Sequence, residues 1–230
     1  MSEYIGNELE LFEHAENWKK YYSNILKKYI IGRVVEVGAG LGGTTLFLFN
    51  KKVKNWVCLE PDPLLFKILN NKLNFNILNN EINTLNGNIS LIKEKKDTII
   101  YIDVLEHIEN DKNELENAYN LLADKGVILI VVPAFNFLYN NFDKAIGHYR
   151  RYTKKSILKI IPENIKIIQI NYLDSLGFFS SLLNKYILKQ EYPNLKQVLF
   201  WDKILIPFSK FLDILFNFSF GKSLIIVLQK

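Results

Sequence analysis

The stretch Val34-Val35-Glu36-Val37-Gly38-Ala39-Gly40-Leu41-Gly42-Gly43 decides the fold. Its apolar, β-branched start reads as a buried strand, and the glycines after it let the chain turn sharply and bring backbone N–H groups close to a ligand. A second apolar run ends at Cys58-Leu59-Glu60, an acid about 20 residues on, the spacing at which a carboxylate can hold ribose hydroxyls. The pair points to an adenosine-containing cofactor.

The loop itself reads two ways. Gly38-x-Gly40-x-x-Gly43 fits a dinucleotide fingerprint with a pyrophosphate over the next helix N-terminus, and Gly38-x-Gly40-x-Gly42 fits a methyltransferase loop. Glu36 favours the second, because a carboxylate there repels a pyrophosphate but suits the cationic methionine end of S-adenosylmethionine.

Outward from the loop, strand-like runs recur at 34–38, 56–60, 77–86, 98–103, 126–132 and 165–172, with a last one at 222–228. Helical segments at 43–50, 63–72, 111–123 and 153–160 lie between them, an alternation that requires crossovers and a parallel sheet. Asp62 before Pro63 and Thr153 are the expected caps. Ahead of the loop, Leu11, Phe12, Ala15, Trp18, Tyr22, Ile25 and Leu26 repeat at helical spacing, which predicts a helical cover over residues 1–32 on the cofactor side. Between Tyr172 and the last strand lies an aromatic-rich helical insertion, 173–221, in which Val198, Trp201, Leu205, Phe208, Leu212 and Leu215 form the expected core stripe.

With 230 residues, 49% of them hydrophobic, the chain suits one α/β domain spanning 1–230. The single cysteine excludes a disulfide framework and a cysteine-based metal site, and a reducing cytoplasm is the expected home. A net charge of +5 comes almost wholly from scattered lysines, so nucleic acid is not an expected partner. The N-terminus carries acids and no apolar core, and is read as no signal peptide. The apolar stretch from Val198 to Phe220 is interrupted by Asp202, Lys203, Lys210 and Asp213, which rules out a spanning helix but leaves peripheral membrane contact open.

Ligands of open parallel sheets bind at the carboxyl ends of the strands. After the fourth strand comes Asp103-Val104-Leu105-Glu106-His107-Ile108, where a helical turn would put Asp103, Glu106 and His107 on one face. After the fifth comes a loop with Asp143, His148, Tyr149, Arg150, Arg151 and Tyr152. His148, His107 and Asp103 are the candidate catalytic residues, His148 first, since an imidazole can take a proton near neutral pH. Arg150, Arg151 and Tyr152 are the candidate acceptor-binding residues, the arginines being suited to bidentate contact with phosphate or carboxylate. Asp103, Glu106 and His107 lack a defined ligand geometry, so a divalent metal is possible and none is assigned.

These segments together resemble the class I S-adenosylmethionine-dependent methyltransferases, from about residue 17 to the end of the chain. Glu36-Val37-Gly38-Ala39-Gly40-Leu41-Gly42 is similar to their first motif, Glu60 to their ribose-binding acid, and the Asp-Val-Leu-Glu-His-Ile segment to their motif after the fourth strand. The resemblance implies a Rossmann-like α/β fold, a seven-stranded mostly parallel sheet with an antiparallel last strand and helices on both faces. It implies Glu36, Gly38, Gly40, Gly42, Glu60, Asn88 and Asp103 as cofactor residues, with Asn88 where the family often has an aspartate. The run from Asp143 to Tyr152, with Gly221-Lys222-Ser223-Leu224, is similar to a subgroup associated with surface-polysaccharide synthesis. The Asp-Val-Leu-Glu-His-Ile segment is also similar to that of ubiquinone-pathway O-methyltransferases, in which the corresponding acids and histidine can bind a metal. The expected activity is O-methylation of a sugar, glycan-linked or other small hydroxyl by direct in-line transfer. An NAD(P)-dependent Rossmann oxidoreductase and a catalytically inactive cofactor-binding or scaffold protein are the alternatives.

Overall fold

The computed structural model describes residues 7–74 and 82–230. In chain order the elements are α1 (Asn7–Glu13), α2 (Glu16–Leu26), β1 (Gly32–Val37), α3 (Thr45–Leu48), β2 (Val53–Glu60), α4 (Pro63–Asn74), β3 (Ile82–Asn86), β4 (Lys96–Ile102), α5 (Asp111–Leu121), β5 (Leu122–Pro133), α6 (Asn141–Ala145), α7 (Lys154–Ile157), β6 (Lys166–Leu173), α8 (Ser175–Leu183), α9 (Leu195–Phe200), α10 (Ile206–Leu215) and β7 (Ser223–Gln229). The expected strand at 77–86 is present from Ile82, and its first five positions fall outside the described residues. The expected helix over 43–50 is shorter than its sequence suggests, because Gly42 and Gly43 still belong to the turn.

The seven strands form one sheet in the order β3-β2-β1-β4-β5-β7-β6. All neighbours are parallel except β7, which runs antiparallel to both β5 and β6. The run at β1 is apolar on both sides because both faces of the sheet are covered. Trp56, Val34 and Leu129 pack on one face with α2 residues, and Ile99, Tyr101 and Ile130 pack on the other. Asp62 caps α4 by accepting from Leu64 N and Leu65 N, and Thr153 caps α7 by accepting from Ser156 N.

Because β7 is antiparallel, it begins at the edge where the parallel strands end. Lys222 and Ser223 therefore join Gly38, Asp103 and Pro133 along one rim of the sheet.

The insertion corrects the expected core stripe. Val198 and Trp201 are buried, as the stripe requires, but Phe208 is 62% and Leu215 65% exposed, while Asp202, Ile206, Ser209 and Asp213 are buried instead. The cause is a π turn at Trp201–Leu205, just ahead of Pro207 in α10. Proline lacks an N–H and its ring clashes with the carbonyl four residues back, here Lys203. The wider turn accommodates it and shifts the helix phase by one residue.

That buried face is polar, and three acids fasten it. Asp202 accepts from Asn17 N and Trp18 N, the second and third residues of α2. Asp213 accepts from the Tyr21 hydroxyl and from Asp174 N and Ser175 N. Asp174 accepts from Trp201 Nε1, Ser209 Oγ and Gly177 N. The insertion thus clamps α2 over the sheet rim. Among the described residues no helix is long and apolar enough to cross a membrane.

Candidate active site

The glycine loop leaves β1 through three left-handed residues, Gly38, Gly40 and Gly42 (φ +66°, +55° and +71°). A Cβ on Gly38 would lie 2.7 Å from Val104 Cγ2, so this turn works only where glycine meets the segment after β4. Gly38, Gly40 and Gly43 line a cavity closed from above by Leu9 and Phe12 of α1 and by Trp18 and Tyr22 of α2. Helices α1 and α2 thus cover the glycine loop. Gly42 does not line this cavity and is turned toward Leu69 of α4.

Glu36 lies beneath the loop, 2% exposed. Its Oε2 accepts from Thr45 Oγ1 at 2.7 Å and Trp56 Nε1 at 3.0 Å. Burial outweighs these donors and pushes its carboxyl up to about 7. Glu60 at the end of β2 spends both oxygens on backbone, accepting from Gly40 N at 2.8 Å and Asp62 N at 2.9 Å. It fixes the loop from the side and is not part of the cavity wall. Asn88 is also away from the wall, its side chain accepting from Ser90 N.

Asp103, Glu106, His107, Asp143, His148 and Arg151 converge on the opposite side of the same cavity. Asp103 sits at φ +54°, and burial raises its carboxyl to about 6. Asp143 caps α6 by accepting from Asn140 N on Oδ2, and its Oδ1 accepts from His148 Nδ1 and Arg151 Nε, each at 2.8 Å. Burial alone would raise Asp143, but these donors dominate and hold it at about 2. An ionised carboxylate only accepts, so the His148 proton is on Nδ1. His148 Nε2 then lies 3.8 Å from Glu106 Oε1. Burial drives His107 down to about 3, and its ring meets that of His148 edge-on at 4.6 Å.

Glu106 is fully buried and neither of its carboxylate oxygens has a hydrogen-bond partner; burial and the neighbouring Asp103 push it well above the usual carboxylate range. Its ligand atom and those of His107 and His148 lie within 4.8 Å of one another. His148 replaces Asp103 in the grouping expected from sequence, because the loop after β5 folds back over the segment after β4 through Tyr149 N to Glu106 O.

The neighbouring candidates separate. Arg151 lines the cavity, whereas Arg150 pairs with Asp111 at 2.7 Å and donates to Glu109 O. Tyr152 is buried and donates to Asp111 Oδ2 and Leu105 O. Arg150 and Tyr152 therefore brace the loop rather than face the cavity. Lys222, Trp201 and Phe142 are wall residues that helical and strand periodicity did not single out as site residues. For Lys222 the available signal was its position just ahead of an antiparallel last strand.

The Rossmann-like seven-stranded sheet with β7 reversed is the fold expected from the sequence. Residues 35–128 match the family described as methyltransferase domain. Among curated protein sequences none matches the chain. It is similar to the N-methyltransferase NodS of Bradyrhizobium japonicum, solved with S-adenosyl-L-homocysteine (12% identity, 94% of this chain and 85% of that one, TM-score 0.57). It is similar also to the plantazolicin methyltransferase BamL, solved with a desmethyl plantazolicin analogue and S-adenosylhomocysteine (15%, 99% and 88%, 0.59). The [4+2]-cyclase SpnF shares the fold as well (12%, 92% and 80%, 0.63). Fold alone therefore does not name the reaction.

Proposed function

We propose that the chain is a single-domain S-adenosylmethionine-dependent methyltransferase that methylates a hydroxyl of a small, sugar or glycan-linked acceptor. The observation that carries this reading is the Asp143–His148 pair facing the glycine-loop cavity, a base held by an acid beside a cofactor cradle. The residues present fit the cofactor: the left-handed glycines expose backbone to a ligand, and Glu36 is a buried carboxyl that a cationic ligand would ionise.

S-Adenosylmethionine, when bound, supplies an electrophilic methyl carbon on a sulfonium. Gly38, Gly40 and Gly43 would hold its methionine portion over Glu36, with Glu60 fixing the loop through Gly40 N. His148 Nε2 takes the acceptor proton as the hydroxyl oxygen attacks, and Asp143 stabilises the imidazolium that forms. Arg151 orients the acceptor, and α1 and α2 exclude water. Calorimetry with S-adenosylhomocysteine tests the reading: saturable binding without NADH binding is expected, and NADH binding alone overturns it in favour of an oxidoreductase.

A second reading rests on the unpartnered Glu106 oxygens. One carboxylate and two imidazoles suit a zinc-like ion better than magnesium, which prefers oxygen ligands. His148 would then be a ligand that orients the acceptor through the metal, with Asp143 behind it fixing the ring. Loss of turnover on chelation, restored by added metal, would select this reading over the metal-free base.

A further inference from the structure

A second cavity of about 490 Å³ lies beside the first and shares Phe12, Phe142, Arg151, Trp201 and Lys222 with it. Its other walls come from α8, α9 and the π turn after α9, where Gly177, Ser180 and Ser181 leave the space and Leu183, Val198 and Leu205 make it apolar. The volume falls in the range of small-ligand sites. Three lining residues, Leu183, Leu188 and Phe200, are 47%, 47% and 56% exposed, so the cavity opens at an apolar mouth.

The junction between the cavities is cationic. Arg151 is 6% exposed, and its Nη1 is buried with no hydrogen-bond partner. The Lys222 ammonium stands 4.1 Å from the Trp201 ring centroid. Asp143 is engaged by His148, Arg151 and Asn140, and Asp174 by Trp201, Ser209 and Gly177, while Asp103 acts on Lys222 and Glu106 on Arg151 as buried carboxyls whose ionisation burial disfavours. A buried guanidinium nitrogen left unbonded is costly unless an anion completes it.

We propose that the second cavity takes the apolar chain of an amphiphilic acceptor whose phosphate or carboxylate sits between Arg151 and Lys222, with its hydroxyl reaching His148. This rests on the methyltransferase reading for the reaction but not for the binding. Asp143 ties the anion site to the base, since the same oxygen holds both Arg151 and His148.

Calorimetry on the full chain, with farnesyl phosphate, palmitate, farnesol and inorganic phosphate as ligands, tests it. At least one anionic amphiphile should bind tenfold or more tightly than farnesol and phosphate, and the tighter of the two names the anion. Ser180→Phe, which fills the cavity, and Leu188→Asp at its mouth should each weaken that ligand about tenfold and leave S-adenosylhomocysteine binding unchanged. Equal binding of phosphate alone, or amphiphile affinity indifferent to both variants, overturns the proposal. So does S-adenosylhomocysteine binding with no amphiphile binding, which leaves the methyltransferase reading standing. Amphiphile binding without S-adenosylhomocysteine binding does the reverse.

Discussion

His148 donates from Nδ1 to Asp143 Oδ1 at 2.8 Å, which leaves Nε2 as the ring nitrogen open to chemistry. Replacing His148 by Ala removes that nitrogen, and turnover should fall by roughly 10²- to 10⁴-fold, the usual worth of a positioned base. S-Adenosylhomocysteine affinity should stay within about twofold, since the glycine loop is untouched. A loss of both together would assign His148 to the cofactor rather than the acceptor. Asp143→Asn should also lower kcat, because an amide can present its N–H to the ring and reverse the tautomer.

Glu36 makes stability fall as pH rises. Its carboxyl is raised from an ordinary value near 4.5 to about 7 by burial, so the folded state holds a proton that the unfolded chain has released. The contribution is fully present below about 4.5 and is lost as pH rises to about 7, amounting to about 3 kcal/mol for a shift of this size. Glu36→Gln keeps an acceptor for Thr45 and Trp56 and carries no charge. Thermal melts should show the native protein losing more Tm than the variant between pH 5 and 7.5, with the raised carboxyls of Asp103 and Glu106 giving both a common slope. Equal slopes would mean that Glu36 is ionised throughout.

Gly38 and Val104 are separable. Gly38→Ala meets Val104 Cγ2 at 2.7 Å and a left-handed backbone as well. Val104→Ala in the same chain removes the clash and leaves the backbone strain of about 1 kcal/mol. S-Adenosylhomocysteine binding should be lost in the single variant and partly recovered in the double. No recovery would show that conformation, not space, is what the loop needs.

How far the molecule could be read beforehand follows from where its interactions lie in the chain. β1, β2 and β4 and the glycine turns were legible because strand burial and left-handed turns leave local marks, as at Val34–Gly43. His148 was legible as a residue type after a strand, but its partner could not be chosen among nearby acids without the α6 cap that aims Asp143. Arg150 and Arg151 are alike in sequence and diverge in space, one toward Asp111 and one toward Asp143. Asp202 and Asp213 read as interruptions of an apolar helix, whereas they are its buried fasteners, with partners 185 and 192 positions away. The π turn that moves Phe208 to the surface is not a periodic signal at all.

Asp202 gives the last test, because it caps a helix from far along the chain. α2 starts after Ala15, which has no side-chain oxygen and makes no cap hydrogen bond, and Asp202 supplies the missing acceptors to Asn17 N and Trp18 N. Asp202→Ala should therefore cost about 2 kcal/mol, at the upper end for a lost cap, since the freed N–H groups are partly buried. Ala15→Ser should add nothing in the native background, where those donors are taken, and return about 1 kcal/mol in the Asp202→Ala background. Denaturant unfolding of the four proteins measures the coupling. Strict additivity of the two substitutions would show that Asp202 stabilises through packing or charge and not as the cap of α2.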